Sequence, residues 1–387
     1  MTERHHIYLI PGFFGFTNLG DLRYFAHVND VLRDEFARRD LDVVVHPVRT
    51  WPTASVRRRA QRLLQVIAET SGDTDEPVHL IGHSSGGLDA RLLVSAGASL
   101  SEDPSAERIA ARVRSIVTVA APHFGTPLVS VFTRRLGGRL LQVLSLSTIY
   151  VLRYGRLPLS VAVRLGGLLV KLEDRMGTGQ DVLDQLYGEL LDDFSDERRV
   201  ALDEFLTDVG SDQQLIPQLT PENMATFNAT TRDDGGVRYG CVLARGRPPG
   251  LASTLAAGLG VYAQASHALY ATIYRGASRT PHDRTVMPSY EQVQAMRAAW
   301  GEVPDPRDND GIVPTLSQLW GEVICAVTAD HHDLIGHFDD TEHDPPHYDW
   351  ITSGSGFKRR EFEALWASVA HWIAVRGIPS AGKGAPR

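Results

Sequence analysis

Between residues 78 and 94 the chain runs from Val78-His79-Leu80-Ile81 through Gly82-His83-Ser84-Ser85-Gly86 into Gly87-Leu88-Asp89-Ala90-Arg91-Leu92-Leu93-Val94. The first stretch reads as a short buried strand and the last as a helix, so the pentapeptide must turn the chain sharply. Such a turn leaves little room for side chains beside its tip, and Gly82 and Gly86 supply that room. A buried strand feeding a helix this quickly points to strands and helices alternating around a mostly parallel sheet.

The chain keeps this alternation at both ends. Residues 7–10, 42–46, 78–81 and 115–120 read as strands, and 22–38 and 55–69 as helices. From about Leu128 to Asn228 the alternation stops: 128–153, 159–175 and 181–206 carry helical periodicity, broken by Gly and Pro. Strand patterns return at 237–244 and 322–327, with helices at 250–274, 289–300 and 362–375, the last placing Leu365, Val369, Trp372 and Ile373 on one face. The expectation is an α/β fold, with a core of residues 1–127 and 229–376 and a large helical cap insertion at 128–228. Residues 377–387, rich in Gly, Pro, Ala and Ser, read as a disordered tail.

Composition narrows the partners. At 43% hydrophobic and 22% charged, 387 residues can bury a large core. A net charge of −8 without a long basic run argues against nucleic acid. Arg57, Arg58 and Arg59 read as the solvated face of the 55–69 helix. Two cysteines, Cys241 and Cys325, make no disulfide framework, though they leave one bridge open. Gly250–Tyr274 carries Gln264, His267 and several glycines, too polar for the roughly 20 apolar residues of a spanning helix. The stretch before Ile7 lacks the apolar region of a secretory signal, so a cytoplasmic location is expected, with leaderless export left open.

Ser84 at the tip of a strained turn is a candidate nucleophile, and a serine hydroxyl needs a general base and an orienting acid. Where such a turn carries the serine, the acid and then the histidine follow it in the chain. Asn309-Asp310-Gly311-Ile312-Val313-Pro314 offers the acid, with Asp305 and Asp308 as competitors. Asp330-His331-His332-Asp333, just after the 322–327 strand, offers the base, as His331 or His332. Backbone N–H donors to a developing oxyanion are each worth ~3–4 kcal/mol in the transition state. Ser85 follows the nucleophile, and Phe13 lies in Ile10-Pro11-Gly12-Phe13-Phe14-Gly15-Phe16, where Phe14 and Phe16 read as pocket wall.

These residues resemble the α/β-hydrolase fold lipases and esterases, especially the bacterial triacylglycerol lipases. The carrying motifs are Gly82 to Arg91, Val119-Ala120-Ala121-Pro122-His123-Phe124-Gly125-Thr126-Pro127, Asn309-Asp310-Gly311 and Asp330-His331-His332-Asp333. The resemblance implies Asp310 as the acid and His331, the first histidine of its loop, as the base. Three departures stand out: Pro11-Gly12 where many members have His-Gly, Ser85 where Met, Gln or His is usual, and the missing signal peptide. In some members the Asp at the position of Asp333 helps bind a structural calcium. One carboxylate is not a calcium site, however, and Asp333 reads more simply as orienting the loop or facing water. His83 and Asp89 read as packing or hydrogen-bonding around the elbow.

The expected function is a carboxylic ester hydrolase, a lipase acting through a Ser84–His331–Asp310 triad, without a cofactor. Its expected partners are an ester or lipid substrate and, through an amphipathic cap, a lipid surface. A short-chain carboxylesterase, an acyltransferase or a polyester depolymerase would use the same triad. A non-catalytic binding protein on the same fold is a remote alternative.

Overall fold

The computed structural model describes residues 4–13, 23–72, 74–98, 100–101, 105–129, 137–173, 180–279 and 286–377. Phe14, Phe16 and the tail beyond Gly377 lie outside the described residues. Strands β1 (His5–Ile10), β2 (Val43–Pro47), β3 (Val78–His83), β4 (Val113–Val119), β5 (Arg238–Ala244) and β6 (Glu322–Val327) form one sheet in the order β2-β1-β3-β4-β5-β6. Every pairing is parallel. The chain leaves β1 toward β2 and then returns to the other side of β1 for β3. The crevice beyond the carboxyl ends of β1 and β3 is therefore a topological switch point, the usual ligand position in such sheets.

Alternate residues of β1 bury on opposite faces, as strand geometry requires. Tyr8 and Ile10 pack with Leu63 and Ile67 of α2 (Val56–Ser71), Leu93 of α3 (Gly86–Val94) and Ile109 of α4 (Ser105–Ala111). Ile7 and Leu9 pack with Leu32 and Phe36 of α1 (Val28–Ala37) and with Leu365, Val369, Trp372 and Ile373 of a terminal helix, Arg359–Gly377. Both faces are thus covered, which is why β1 and β3 are apolar or buried along their whole length.

Between β4 and β5 the described residues form only helices: α5 (Gly137–Tyr154), α6 (Leu159–Glu173), α7 (Gln180–Asp192), α8 (Asp196–Ser211), α9 (Leu215–Gln218) and α10 (Pro221–Thr230). Leu140, Leu144 and Leu186 join the same apolar cluster as Ile7, tying the helical segment to the sheet. Helices α11 (Leu251–Ala256), α12 (Val261–Ala277) and α13 (Tyr290–Trp300) follow β5, α12 packing on α6. The terminal helix is α14.

Several sequence expectations change. The 22–38 helix begins only at Val28, the 128–153 helix is described from Gly137, and the 181–206 and 250–274 segments each divide into two helices. Ser195 at one break and Gly258 with φ of +101° at the other interrupt a periodicity that continues across them. Arg59 is not on a solvated face but fully buried. Cys241 and Cys325 are both free thiols. No helix among the described residues is long and apolar enough to cross a membrane.

Candidate active site

Ser84 follows β3 with φ of +53°, a left-handed conformation that costs a non-glycine residue energy. Its amide donates to the Val119 carbonyl at 2.8 Å, which holds the turn against the end of β4. The two glycines are sterically required. A Cβ at Gly82 would stand 2.4 Å from the Gly86 backbone, and one at Gly86 would stand 2.4 Å from the Ile10 carbonyl oxygen.

Asp310 and His331 come together from separate loops. His331 Nδ1 lies 2.7 Å from Asp310 Oδ2, with Asp310 wholly buried and His331 nearly so. Asp310 also accepts from the amides of Ile312 and Val313 at 2.9 and 2.7 Å and from Gln318 Nε2 at 3.1 Å. The backbone joins the loops as well, since the His331 amide donates to the Asp310 carbonyl at 3.0 Å. The competing acid Asp308 pairs with Arg245 at 2.8 Å instead.

Ser84, His331 and Phe13 line one cavity of about 110 Å³, with Leu128, Leu144 and Ile273 among its apolar walls. The described helices between β4 and β5 and helix α12 both contribute to it. His332 lines it too, but its Nδ1 is buried without a hydrogen bond, and among the described residues it is His331 that is paired with a carboxylate. Burial and the neighbouring His331 and His83 rings lower His332 well below the ordinary histidine range.

The turn after β1 is braced from two sides. Tyr24 Oη accepts from the Gly12 amide at 2.9 Å and lies 2.7 Å from His83 Nδ1. His83 Nε2 in turn donates to the His331 carbonyl at 2.9 Å. One chain of hydrogen bonds thus links the turn of Phe13, the elbow of Ser84 and the loop of His331. On the other side, Arg59 donates to the Pro11 carbonyl at 2.6 Å and pairs with Asp89 at 2.8 Å, both side chains fully buried. Burial raises the Asp89 carboxyl to about 6 against the opposing pull of Arg59. His83 and Asp89 therefore hydrogen-bond around the elbow, as expected. Tyr24, Arg59 and Gln318 carried no local sequence signal, because each reaches its partner at the site across eight or more positions.

Asp333 does not face water. It is buried, and its Oδ2 accepts from the Asp330 amide at 2.9 Å and the Ser355 hydroxyl at 2.8 Å. Carboxylate oxygens of Asp330, Asp333 and Asp349 lie within 4.8 Å of one another. Asp330 Oδ2 is buried without a well-formed hydrogen bond. Burial raises Asp330 to about 6, against the pull of Ser353 and nearby amides, and burial with the Asp330 charge raises Asp333 well above its usual range. An orphaned oxygen in an all-carboxylate set fits a hard cation such as calcium, which takes oxygen ligands.

No protein-family model and no curated protein sequence matches the chain. Its structure is similar to lipase 1 from Pelosinus fermentans, at 16% identity and a TM-score of 0.52, over 97% of this chain and 99% of that one. It is also similar to EstA from Clostridium botulinum, at 15% identity and a TM-score of 0.51, over 95% and 88% of the two chains. A metagenomic carboxyl esterase aligns over 96% of this chain and 76% of its own, at 16% identity and a TM-score of 0.50. The chain has the α/β-hydrolase fold of these bacterial lipases and esterases.

Proposed function

We propose that the protein is a serine carboxylic ester hydrolase of the lipase type. The observation that carries this reading is the buried Asp310–His331 pair opening on the same cavity as Ser84, which sits on a strained elbow. In this reading Ser84 Oγ attacks the acyl carbonyl while His331 Nε2 takes its proton. Asp310 holds the His331 tautomer and stabilises the imidazolium. The amides of Phe13 and Ser85 bind the oxyanion. His331 then protonates the leaving alcohol, and water, deprotonated by the same histidine, releases the acid.

Phe13, Leu128, Leu144 and Ile273 suit an apolar acyl group. The lipase reading is further supported by Leu251, Leu255, Leu259 and Val261, which are 66–86% exposed at α11 and the start of α12. Clustered exposed aliphatics of this kind mark surfaces that meet lipid or protein. In the proposal they touch a lipid surface while the triad works. A short-chain esterase is the second reading, favoured by the cavity of about 110 Å³. Drug-sized ligands occupy roughly 300–1,000 Å³, so a long acyl chain needs the cap to move.

Asp330, Asp333 and Asp349 would hold the calcium. When bound it neutralises their charge and stiffens the His331 loop. Calcium returned to chelator-treated protein should raise Tm, and Asp349→Asn should remove that rise.

The deciding experiment is hydrolysis of p-nitrophenyl esters from acetate to palmitate by wild type, Ser84→Ala and His331→Ala. Loss of at least about a thousandfold in both variants is expected. Cleavage of the long esters supports the lipase, and cleavage of acetate alone supports the esterase. An active Ser84→Ala, or an inactive folded wild type, ends the catalytic reading.

A further inference from the structure

A histidine cluster stands apart from the triad, and the proposed reaction does not use it. His27 immediately precedes α1, while His343 and His347 lie in the loop beyond the His331 turn. One ring nitrogen of each lies within 4.8 Å of the others. His343 Nδ1 is 2.8 Å from His347 Nε2. The His27 ring packs against both, with centroids 4.0 and 4.4 Å away.

The opposite nitrogens of two rings are already committed. His347 Nδ1 donates to the Gly336 carbonyl at 2.6 Å, and His27 Nε2 donates to the Pro345 carbonyl at 2.7 Å. A carbonyl only accepts, so the proton sits on those nitrogens. In the neutral rings this leaves His27 Nδ1 and His347 Nε2 as lone pairs directed away from the backbone. A backbone carbonyl fixing one nitrogen so that the opposite lone pair faces the ion is how proteins orient metal-binding imidazoles; here the His347 Nε2 lone pair accepts from His343 Nδ1 until a metal takes that place. His27 and His347 are buried and His343 is half-buried. His27 also holds φ of +58°, a costly conformation for a residue with a side chain. On the open side, Asp30 Oδ2 stands 3.9 Å from His27 Nδ1 and 3.8 Å from Arg23.

We propose that His27, His343 and His347 form a structural site for a divalent transition-metal ion of the zinc class, with Asp30 as the fourth donor. Imidazole donors select such ions over calcium or magnesium. Metal–nitrogen bonds of about 2.0–2.1 Å place tetrahedral donors about 3.3 Å apart. The ring nitrogens now lie within 4.8 Å of one another, so binding would draw them together by turning the rings. The ion would pin the start of α1 to the loop that leaves His331. That junction is already close, since the Ala26 amide donates to the Ile335 carbonyl at 2.9 Å and His337 Nε2 donates to the Tyr24 carbonyl at 2.8 Å.

The test uses the full chain freed of metal by a chelator and titrated with Co2+ and then Zn2+. Wild type should take up a single equivalent of Co2+ with the strong visible bands of a tetrahedral site, lose them to Zn2+, and gain Tm with Zn2+. His343→Ala, truncating the half-buried ligand, should stay folded by circular dichroism and lose the bands and the Tm gain. His27→Gln should weaken binding at least tenfold. Absence of stoichiometric Co2+ or Zn2+ binding by folded wild type overturns the proposal. So does undiminished binding in both variants, which would move the ion elsewhere, for instance to His6, His46 and Glu76. Neither readout depends on ester hydrolysis, so the site and the proposed activity fail separately.

Discussion

Single residues at the elbow do work that their neighbours in sequence conceal. Arg59 lies in a run of three arginines, yet it is fully buried and spans Asp89, the Pro11 carbonyl and the Trp51 carbonyl. Removing one member of a buried ion pair strands the other charge in a low-dielectric interior, at a cost of about 3–5 kcal/mol. Arg59→Met should therefore lower the unfolding free energy from denaturant melts by about that much, whereas Arg59→Met/Asp89→Leu should recover part of the loss. A neutral single variant would show that the pair does not brace the β1 turn. Arg57 and Arg58 are solvated as their charge suggests, whereas Arg59 falls three positions after Val56 and four before Leu63 on the buried face, where its charge needs the partner that only the fold supplies.

Elements carry the lipid-surface part of the proposal. Helix α12 begins with an exposed aliphatic group and ends at the cavity wall with Ile273 and Gly276. Leu255→Glu/Leu259→Glu should leave the turnover of a soluble short ester within about twofold, since exposed substitutions seldom disturb a fold. The same variant should lose about tenfold or more on an emulsified long-chain ester. Equal activity on both would remove the surface-docking role. The helical character of 128–228 was legible from its spacing, but the break at Ser195 was not, because the apolar period runs through it.

At the scale of the whole molecule, buried neutral histidines set the response to acid. His79 is fully buried between Ser115 and His5, and burial first, then the nearby His5 and arginine charges, lowers it to about 3. Burial and His6 lower His46 to about 4. Unfolded, both would titrate near 6.5. Between the two values the unfolded chain binds protons that the folded one does not. Their stabilising contribution is therefore complete above about pH 6.5 and is lost as pH falls toward the folded values. His79 alone contributes a slope of up to about 1.4 kcal/mol per pH unit. Denaturant midpoints should fall steadily from about pH 6.5 to 4, and His79→Gln should show a shallower fall. An unchanged slope in that variant would assign the acid response to other groups.

The sequence by itself determined the alternation of strands and helices, the elbow at Ser84, and the three loops that carry Phe13, Asp310 and His331. Those features are local: each follows from residue spacing, from glycine where no Cβ fits, and from turn chemistry within a few positions. The choice of His331 over His332 rests on the family resemblance and not on spacing, and the tertiary structure pairs His331 with Asp310. Only the tertiary structure decided that Tyr24 and His83 join three loops, and that Asp330, Asp333 and Asp349 converge. Only it brought His27 to His343 and His347 across more than three hundred residues. Such partners are chosen by strand order and loop packing, and nothing in a side chain's immediate sequence encodes which distant group the sheet will carry to it.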